Sequence, residues 1–395
     1  MFGYHCIINC VIVRFEYRIQ MNMLINASNL NAGGGLQVAD SICCQLYKHP
    51  EHEFVVVASS SLKSTIQRMG KTKNVKTYVY DTSSHFLSLL SGRDRFLDDL
   101  VEKYNIDAVL TVFGPSMWEP KCAHLAGFAA GQMIFRDSPY YKRGIPLKTK
   151  FREFYRLGLK KFLLKKGTNS LYSENSNVSK RLESMFIGKK VYTVTNYYNQ
   201  VFDELEKWED LEYPKFNGTT LLTVTSAYPH KNLNISIDIS EILIKKHPDF
   251  QFRFVFTINE SEFPILQEHL KEHFFFTGKI DISQCPKAYQ QSDIMFQPTL
   301  MECFTATYPE AMKMGLPIIT TDLDFAHGLC GDAALYYSPL SAEDAAEKIY
   351  YVATNEEVRS QLIEKGYQQL LQYDNYEERT NKLLKILEEL VNESK

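Results

Sequence analysis

The stretch at 302–315, reading E-C-F-T-A-T-Y-P-E-A-M-K-M-G, constrains the fold more than any other part of the chain. Ahead of it, D-I-M-F-Q-P at 293–298 reads as a short buried strand that stops at a proline, and P-I-I-T at 317–320 reads as the next strand. Between them Pro309 suits the first turn of a helix, where its missing N–H has no intrahelical partner. Strand, loop, helix, strand is the repeating unit of a parallel sheet. Loops that leave the carboxyl ends of such strands hold the ligand, and the free N–H groups of a helix start, expected here at 308–311, favour an anionic one such as phosphate. Glu302 and Glu310 stand on either side of that helix start. A carboxylate accepts hydrogen bonds from vicinal hydroxyls, so Glu302 in the loop suits a hexose and Glu310 on the helix a ribose. A lone pair of solvated surface acids would leave the same trace.

Strand-like runs at 23–27, 54–58, 75–80 and 107–112 alternate with helical patterns, and a second set begins at 219–225 and continues at 252–258 and 274–280. That alternation is the pattern of a doubly wound α/β sheet. At 395 residues the chain has room for two such domains, each with its own core. A net charge of −3 argues against a general nucleic-acid binder, and 45% apolar with 23% charged residues describes an ordinary soluble globular protein. The eight cysteines are scattered, without C-x-x-C or a zinc-like histidine spacing, which reads as reduced thiols in a cytoplasmic protein. Cys303 has no evident base partner and reads as packing. The apolar run at 5–13 is too short to span a bilayer and lacks a basic leader. The first strand follows Met21 directly, so translation is expected to start at Met21 or Met23, with 1–20 outside the fold.

Three further stretches carry chemistry. N-L-N-A-G-G-G at 29–35 follows the first strand, and Gly34 and Gly35 there would let the backbone approach a ligand closely, although a tight turn uses glycine equally well. No spaced dinucleotide fingerprint is present, so a nicotinamide cofactor is not expected. Lys231, in S-A-Y-P-H-K-N at 226–232, sits at a strand-to-helix turn aimed at the same sheet edge as Glu310, where a cation could neutralise a diphosphate leaving group. The turn containing Gly114, Pro115 and Ser116 is placed to form an acceptor wall with His124, a residue that reads equally well as a structural histidine capping a short helix. The segment 140–167 holds ten Lys or Arg against one acid, Glu153, interleaved from 149 with Phe151, Phe154, Tyr155, Leu159, Phe162 and Leu163 at helical spacing. A basic amphipathic helix over 149–166 fits an anionic membrane surface, or a core-facing helix with a solvated basic face. No transmembrane span or internal repeat is present.

The proline before Glu302, Phe304 after it, E-A-M at 310–312 and G-L-P at 315–317 together resemble the signature of the retaining glycosyltransferases of family 4, which have the GT-B fold. P-H-K-N-L at 229–233 resembles that family's donor-binding motif. The resemblance covers nearly the whole chain from 21 and implies two Rossmann-like domains facing across a cleft: 21–199 on the acceptor side, a linker at 200–218, a nucleotide-sugar domain at 219–372, and a helix at 373–395 returning to the first domain. It implies transfer of a hexosyl group from a nucleotide diphosphate sugar, the donor substrate, to an acceptor hydroxyl with retention, without metal or cofactor. Glu302 and Lys231 are then the catalytic residues, and Glu310, Cys303, Phe304, Thr305, Tyr308, Gly278, Lys279, Ser226, Gly34 and Gly35 the donor-binding ones. Ser226 stands where the family usually has an arginine, with His230 and Lys279 as candidate substitutes. Cys303 and Thr305 stand where relatives often have glycines. D-L-D at 322–324 could suggest a metal-dependent transferase of another fold, but it falls too late in the chain for that reading. The resemblance further implies a glycan or lipid-linked acceptor in surface polysaccharide synthesis, at the inner face of the cell membrane. A GT-B nucleotide-sugar epimerase and a non-catalytic nucleotide-sugar-binding or membrane-bound partner protein are the alternatives.

Overall fold

Short apolar runs followed by helices build two parallel sheets in this computed structural model, which describes residues 20–31, 33–70, 72–82, 92–116, 118–142 and 147–394. Residues 1–19 of the expected N-terminal extra segment lie outside the described residues. The first sheet contains β1 (Asn22–Ala27), β2 (Glu53–Ala58), β3 (Val75–Val79), β4 (Ala108–Thr111), β5 (Ala123–Gly127), β6 (Ser170–Ser173) and β7 (Lys190–Thr193), in the order β3-β2-β1-β4-β5-β6-β7. The second contains β8 (Thr219–Thr223), β9 (Phe252–Phe256), β10 (Phe274–Phe276), β11 (Ile294–Gln297), β12 (Ile318–Thr321) and β13 (Ala334–Tyr337), in the order β10-β9-β8-β11-β12-β13. Every pairing given for either sheet is parallel. Strands covered by helices on both faces lose the in-out alternation, so β4, β5, β9, β11 and β12 are buried along their whole length. Each sheet changes winding direction beside its first strand, between β1 and β4 and between β8 and β11. A crevice opens at the carboxyl ends of the strands at such a switch point.

Aromatic packing organises the second lobe. Phe254 and Phe256 project from one face of β9 onto Phe274, Phe263 and Phe296, with ring centroids 5.3 to 6.2 Å apart. On the other face Arg253 donates to Pro214 O (2.8 Å) beneath the rings of Tyr213, Phe216 and Phe275. The polar segment at 200–218 adheres to this lobe, because Val201, Phe202 and Tyr213 are buried there among Leu222, Tyr289 and Met295, with Trp208 and Leu211 packed against them.

Among the described residues the chain crosses back once. Helix Tyr376–Ser394 buries Leu383, Leu384, Leu387, Leu390 and Val391 in the first lobe's core beside Ile25, Ala39 and Ile42. The two crossings touch: the Asp374 carboxylate accepts from Thr195 N–H (2.9 Å) and Thr195 Oγ1 (2.8 Å). Direct seams also join the lobes, with Ser138 Oγ donating to Leu300 O (2.7 Å), Asn175 Nδ2 donating to Phe325 O (3.0 Å) and Arg181 paired with Asp324 (3.0 Å).

Gly127 closes β5 where the Tyr172 hydroxyl donates to Val112 O (2.7 Å). A Cβ there would stand 2.7 Å from Tyr172 Cζ and would collide with the Val112 carbonyl oxygen. Gly127→Ala is expected to cost roughly 1–3 kcal/mol or more by overpacking, read as a lower urea midpoint. Gly34→Ala, whose Cβ would meet nothing within 4 Å, is expected to leave the midpoint nearly unchanged.

Candidate active site

Lys231 and Glu302 come from the loops that leave the adjacent strands β8 and β11. P-H-K at 229–231 makes one 3-10 turn, closed by Asn232 in the left-handed region (φ 57). Leu300 N–H donates to His230 O (2.8 Å), which ties one loop to the other. Lys231 Nζ then forms a salt bridge with Glu302 Oε1, and the Thr299 hydroxyl donates to that same oxygen (3.0 Å). Both side chains are mostly buried, so each charge depends on the other; removing one would leave its partner uncompensated in a poorly solvated site. His230 lies beside them with its imidazole pushed below its ordinary value by burial.

Glu310 sits on the helix Thr307–Lys313 and accepts a hydrogen bond from the Tyr289 hydroxyl (2.9 Å). Burial pushes its carboxyl up to about 7. Pro309 is the third residue of this helix rather than its first, because the chain turns in earlier, where the hydroxyls of Thr305 and Thr307 lie 2.9 Å apart. Glu310 N–H donates to Ala306 O (2.9 Å), so within the expected amide cluster at 308–311 this donor is already used.

These groups line one wall of a cleft of about 640 Å³ between the lobes, in the size range of small-molecule sites. The facing wall includes Gly33, Gly34, Gly35, Phe113, Ala129, Glu174 and Asn196, with Arg379 reaching in from the returning helix. Gly33 is held at φ 77, a conformation that suits glycine. Burial raises the Glu174 carboxyl to about 7, while the nearby Arg379 charge opposes the shift. Arg379 Nη1 donates to Asn196 Oδ1, whereas Arg379 Nε, Arg379 Nη2 and Glu174 Oε1 are buried without a partner among the described residues. Burial pushes the Cys303 thiol well up, which disfavours a thiolate nucleophile. Three cationic groups, Lys231, Lys279 and Arg379, and the carboxyls of Glu174, Glu302 and Glu310 therefore surround one space. Such a mixture suits a ligand that carries both phosphate and hydroxyl groups.

The architecture matches solved structures over nearly its full length. A glycosyltransferase from Rickettsia africae superposes with a TM-score of 0.66 at 16% identity, covering 95% of this chain and 99% of that one. The sucrose-phosphate synthase of Thermosynechococcus elongatus gives 0.67 at 12%, covering 94% and 99%. Anabaena HepE in complex with UDP and glucose gives 0.62 at 12%, covering 94% and 100%. The fold is GT-B. Residues 208–369 also match the family model described as glycosyl transferases group 1. Among curated proteins none matches the chain.

Of the residues expected at the GT-B cleft, Glu302, Lys231, Glu310, Cys303, Phe304, Thr305, Lys279, Ser226, Gly34 and Gly35 line it. Tyr308 does not: its ring is fully buried and its hydroxyl bonds Thr320 Oγ1 (2.7 Å), as a core-facing helical position requires. Gly278 borders a different recess, beside Asn259 and Phe275. In the first lobe Phe113 and Ala129 stand at the cleft, whereas Gly114, Pro115, Ser116 and His124 do not. Gly114 is packed against Leu164 and Ala126, and the Ser116 hydroxyl turns inward to donate to Trp118 O (2.8 Å). His124 lies within β5, not at a helix cap, and its ring bonds Thr111 Oγ1 (2.9 Å) and Gly167 O (2.7 Å). Burial pushes it down to about 4, so it is a neutral structural group at physiological pH. Asp322 pairs with His327 (2.6 Å) and Asp324 with Arg181 (3.0 Å), both outside the cleft lining. Among the described residues no group of His, Cys, Asp and Glu is arranged to hold a metal ion. Sequence reasoning missed Glu174 and Arg379; the only signal was Glu174's place at the carboxyl end of a strand.

A carboxyl raised from 4.5 to about 7 binds more protons in the folded than in the unfolded state across that interval. Its contribution to stability therefore falls as pH rises through the window. Glu310→Gln keeps an acceptor for Tyr289 and has no proton to lose. The difference in Tm, variant minus wild type, is expected to grow as pH is raised from near 4.5 to above 7. A difference that stays constant with pH would contradict the buried titration.

Proposed function

We propose that the protein transfers a hexosyl group from a nucleotide diphosphate sugar to an acceptor hydroxyl with retention at the anomeric carbon. The observation that carries this reading is the convergence of Lys231, Glu302 and Glu310 on one cleft between two opposed sheet edges. In the bound state Lys231 releases part of its charge from Glu302 to the diphosphate and stabilises the leaving group as negative charge develops on it. Glu302 then accepts from hexose hydroxyls, and Glu310 from the ribose pair. The backbone at Cys303, Phe304 and Thr305 orients the sugar. Lys279 and Arg379, which border the same space, supply positive charge where Ser226 has none. Burial of the Cys303 thiol argues against a covalent route through it. Retention then follows from attack on the face the leaving group departs from, with a phosphate oxygen taking the acceptor proton.

The match of 208–369 to glycosyl transferases group 1 supports the reaction class, and HepE, held with UDP and glucose on the same fold, supports a nucleotide sugar as donor. The acceptor in this reading is a glycan or a lipid-linked precursor of a surface polysaccharide, and the enzyme belongs to family 4 and works without a metal.

A thermal-shift panel of nucleotide diphosphate hexoses tests the reading first. The correct donor at a hundred times its Kd is expected to add about 2.7 kcal/mol of stability. With that donor, Lys231→Ala is expected to lower kcat by about 10²–10³. Glu302→Gln should raise KM for the donor and lower kcat, and NMR of the product should show the donor's anomeric configuration. No shift with any nucleotide sugar, an inverted product, or full activity in the Lys231 variant would each reject it.

A further inference from the structure

The helix Leu147–Gly167 has two apolar faces, and the first lobe uses only one. Leu157 and Leu164 are buried with Phe128, Met133 and Ile134. On the opposite side Phe151, Phe154, Tyr155 and Phe162 are 75%, 69%, 69% and 55% exposed. At 3.6 residues per turn these four fall within an arc of about 100°. Exposed Arg152 borders one side of the arc and exposed Lys161 the other, with Lys165 at its carboxyl end. The only acid of the helix, Glu153, turns a carboxylate oxygen into the lobe. Lys161 continues into a recess of about 580 Å³ that Lys180 also lines, which widens the basic border.

We propose that this face seats the protein on an anionic lipid surface, with the aromatic rings at headgroup depth and the flanking Arg and Lys among the phosphates. Water rarely tolerates so much contiguous aromatic surface on a soluble lobe. An aromatic stripe with basic borders is the composition of helices that lie in a bilayer interface. The long basic side chains lay their methylene stems along the rings and reach the phosphates with their heads. Charge chooses this occupant over a second copy of the chain, because a twofold pairing on this face would bring the basic borders against each other. The same helix packs Leu164 against Gly114, which follows Phe113 of the cleft wall, so a seated protein holds the first-lobe side of the cleft near the lipid.

Vesicle flotation of the full chain, without substrate, tests the proposal and leaves the transferase reading untouched if it fails. The wild type is expected to float with vesicles of phosphatidylcholine mixed with phosphatidylglycerol, not with phosphatidylcholine alone, and less at high salt. Phe151→Ala with Phe154→Ala should lower the partition coefficient about tenfold or more. Arg152→Gln, Lys161→Gln and Lys165→Gln should lower it about fivefold per charge removed. Both variants should keep the wild-type Tm, because the altered side chains are exposed. Absence of flotation with anionic vesicles, equal flotation with neutral ones, unchanged flotation of the variants, or a dimer in sedimentation velocity that the aromatic variant abolishes would each overturn it.

Discussion

All the strand pairings among the described residues run one way, and that single constraint decides where chemistry can occur. A parallel strand must be followed by a crossover, so every loop that leaves a carboxyl end gathers on one edge of its sheet. Two such edges face each other here, because the helix Tyr376–Ser394 leaves the second lobe and buries its apolar side in the first. Without that return the glycine-rich loop after β1 and the Lys231 loop after β8 would have no common space. The seams Ser138–Leu300, Asn175–Phe325 and Arg181–Asp324 then fix the facing more closely.

Within the cleft, electrostatics and burial work against each other. Glu174 and Glu310 are carboxyls held in poorly solvated positions, and both respond by moving up to about 7. Glu302 keeps a cation in contact instead, through the salt bridge to Lys231. The difference is local. Glu302 lies in a loop tied directly to the Lys231 loop, whereas Glu310 is on a helix face whose near neighbour is the Tyr289 hydroxyl. The site therefore offers both fixed charge, at Lys231 and Glu302, and acceptors whose charge varies with pH, Glu310 on the same wall and Glu174 on the facing one. A polyhydroxyl ligand and a phosphate group need these two kinds of partner.

The lobes were legible because covered strands read as unbroken apolar runs and their connecting helices as periodic ones. Lys231, Glu302 and Glu310 were legible because loops at strand ends are predictable in position even when the tertiary arrangement is unknown. Three kinds of residue were not. His124 looked like a polar cap because its neighbours A-H-L-A-G carry little β signal, yet β4 and β6 flank it and supply the burial. Tyr308 belonged to the right helix but to its core-facing side, where its ring is buried and its hydroxyl meets Thr320, and the local sequence does not say which side faces inward. Glu174 and Arg379 meet only through the return of the last helix, and nothing local in S-E-N-S or E-E-R-T announces the encounter. The basic helix was ambiguous for the same reason, since composition leaves open which stripe faces inward.

The contact between Thr195 and Asp374 has a mechanical consequence. The polypeptide passes between the lobes twice, and at this point the two passages are stapled side by side by hydrogen bonds of 2.9 and 2.8 Å. Two threads fastened at one spot, with the Ser138–Leu300, Asn175–Phe325 and Arg181–Asp324 seams beside them, hold the lobes against sliding and twisting. Arg379 lies five residues beyond that staple and touches both Asn196 and the gap between the lobes. A ligand that engages Arg379 from the gap would therefore act on the same strap that carries the staple, a few residues from it.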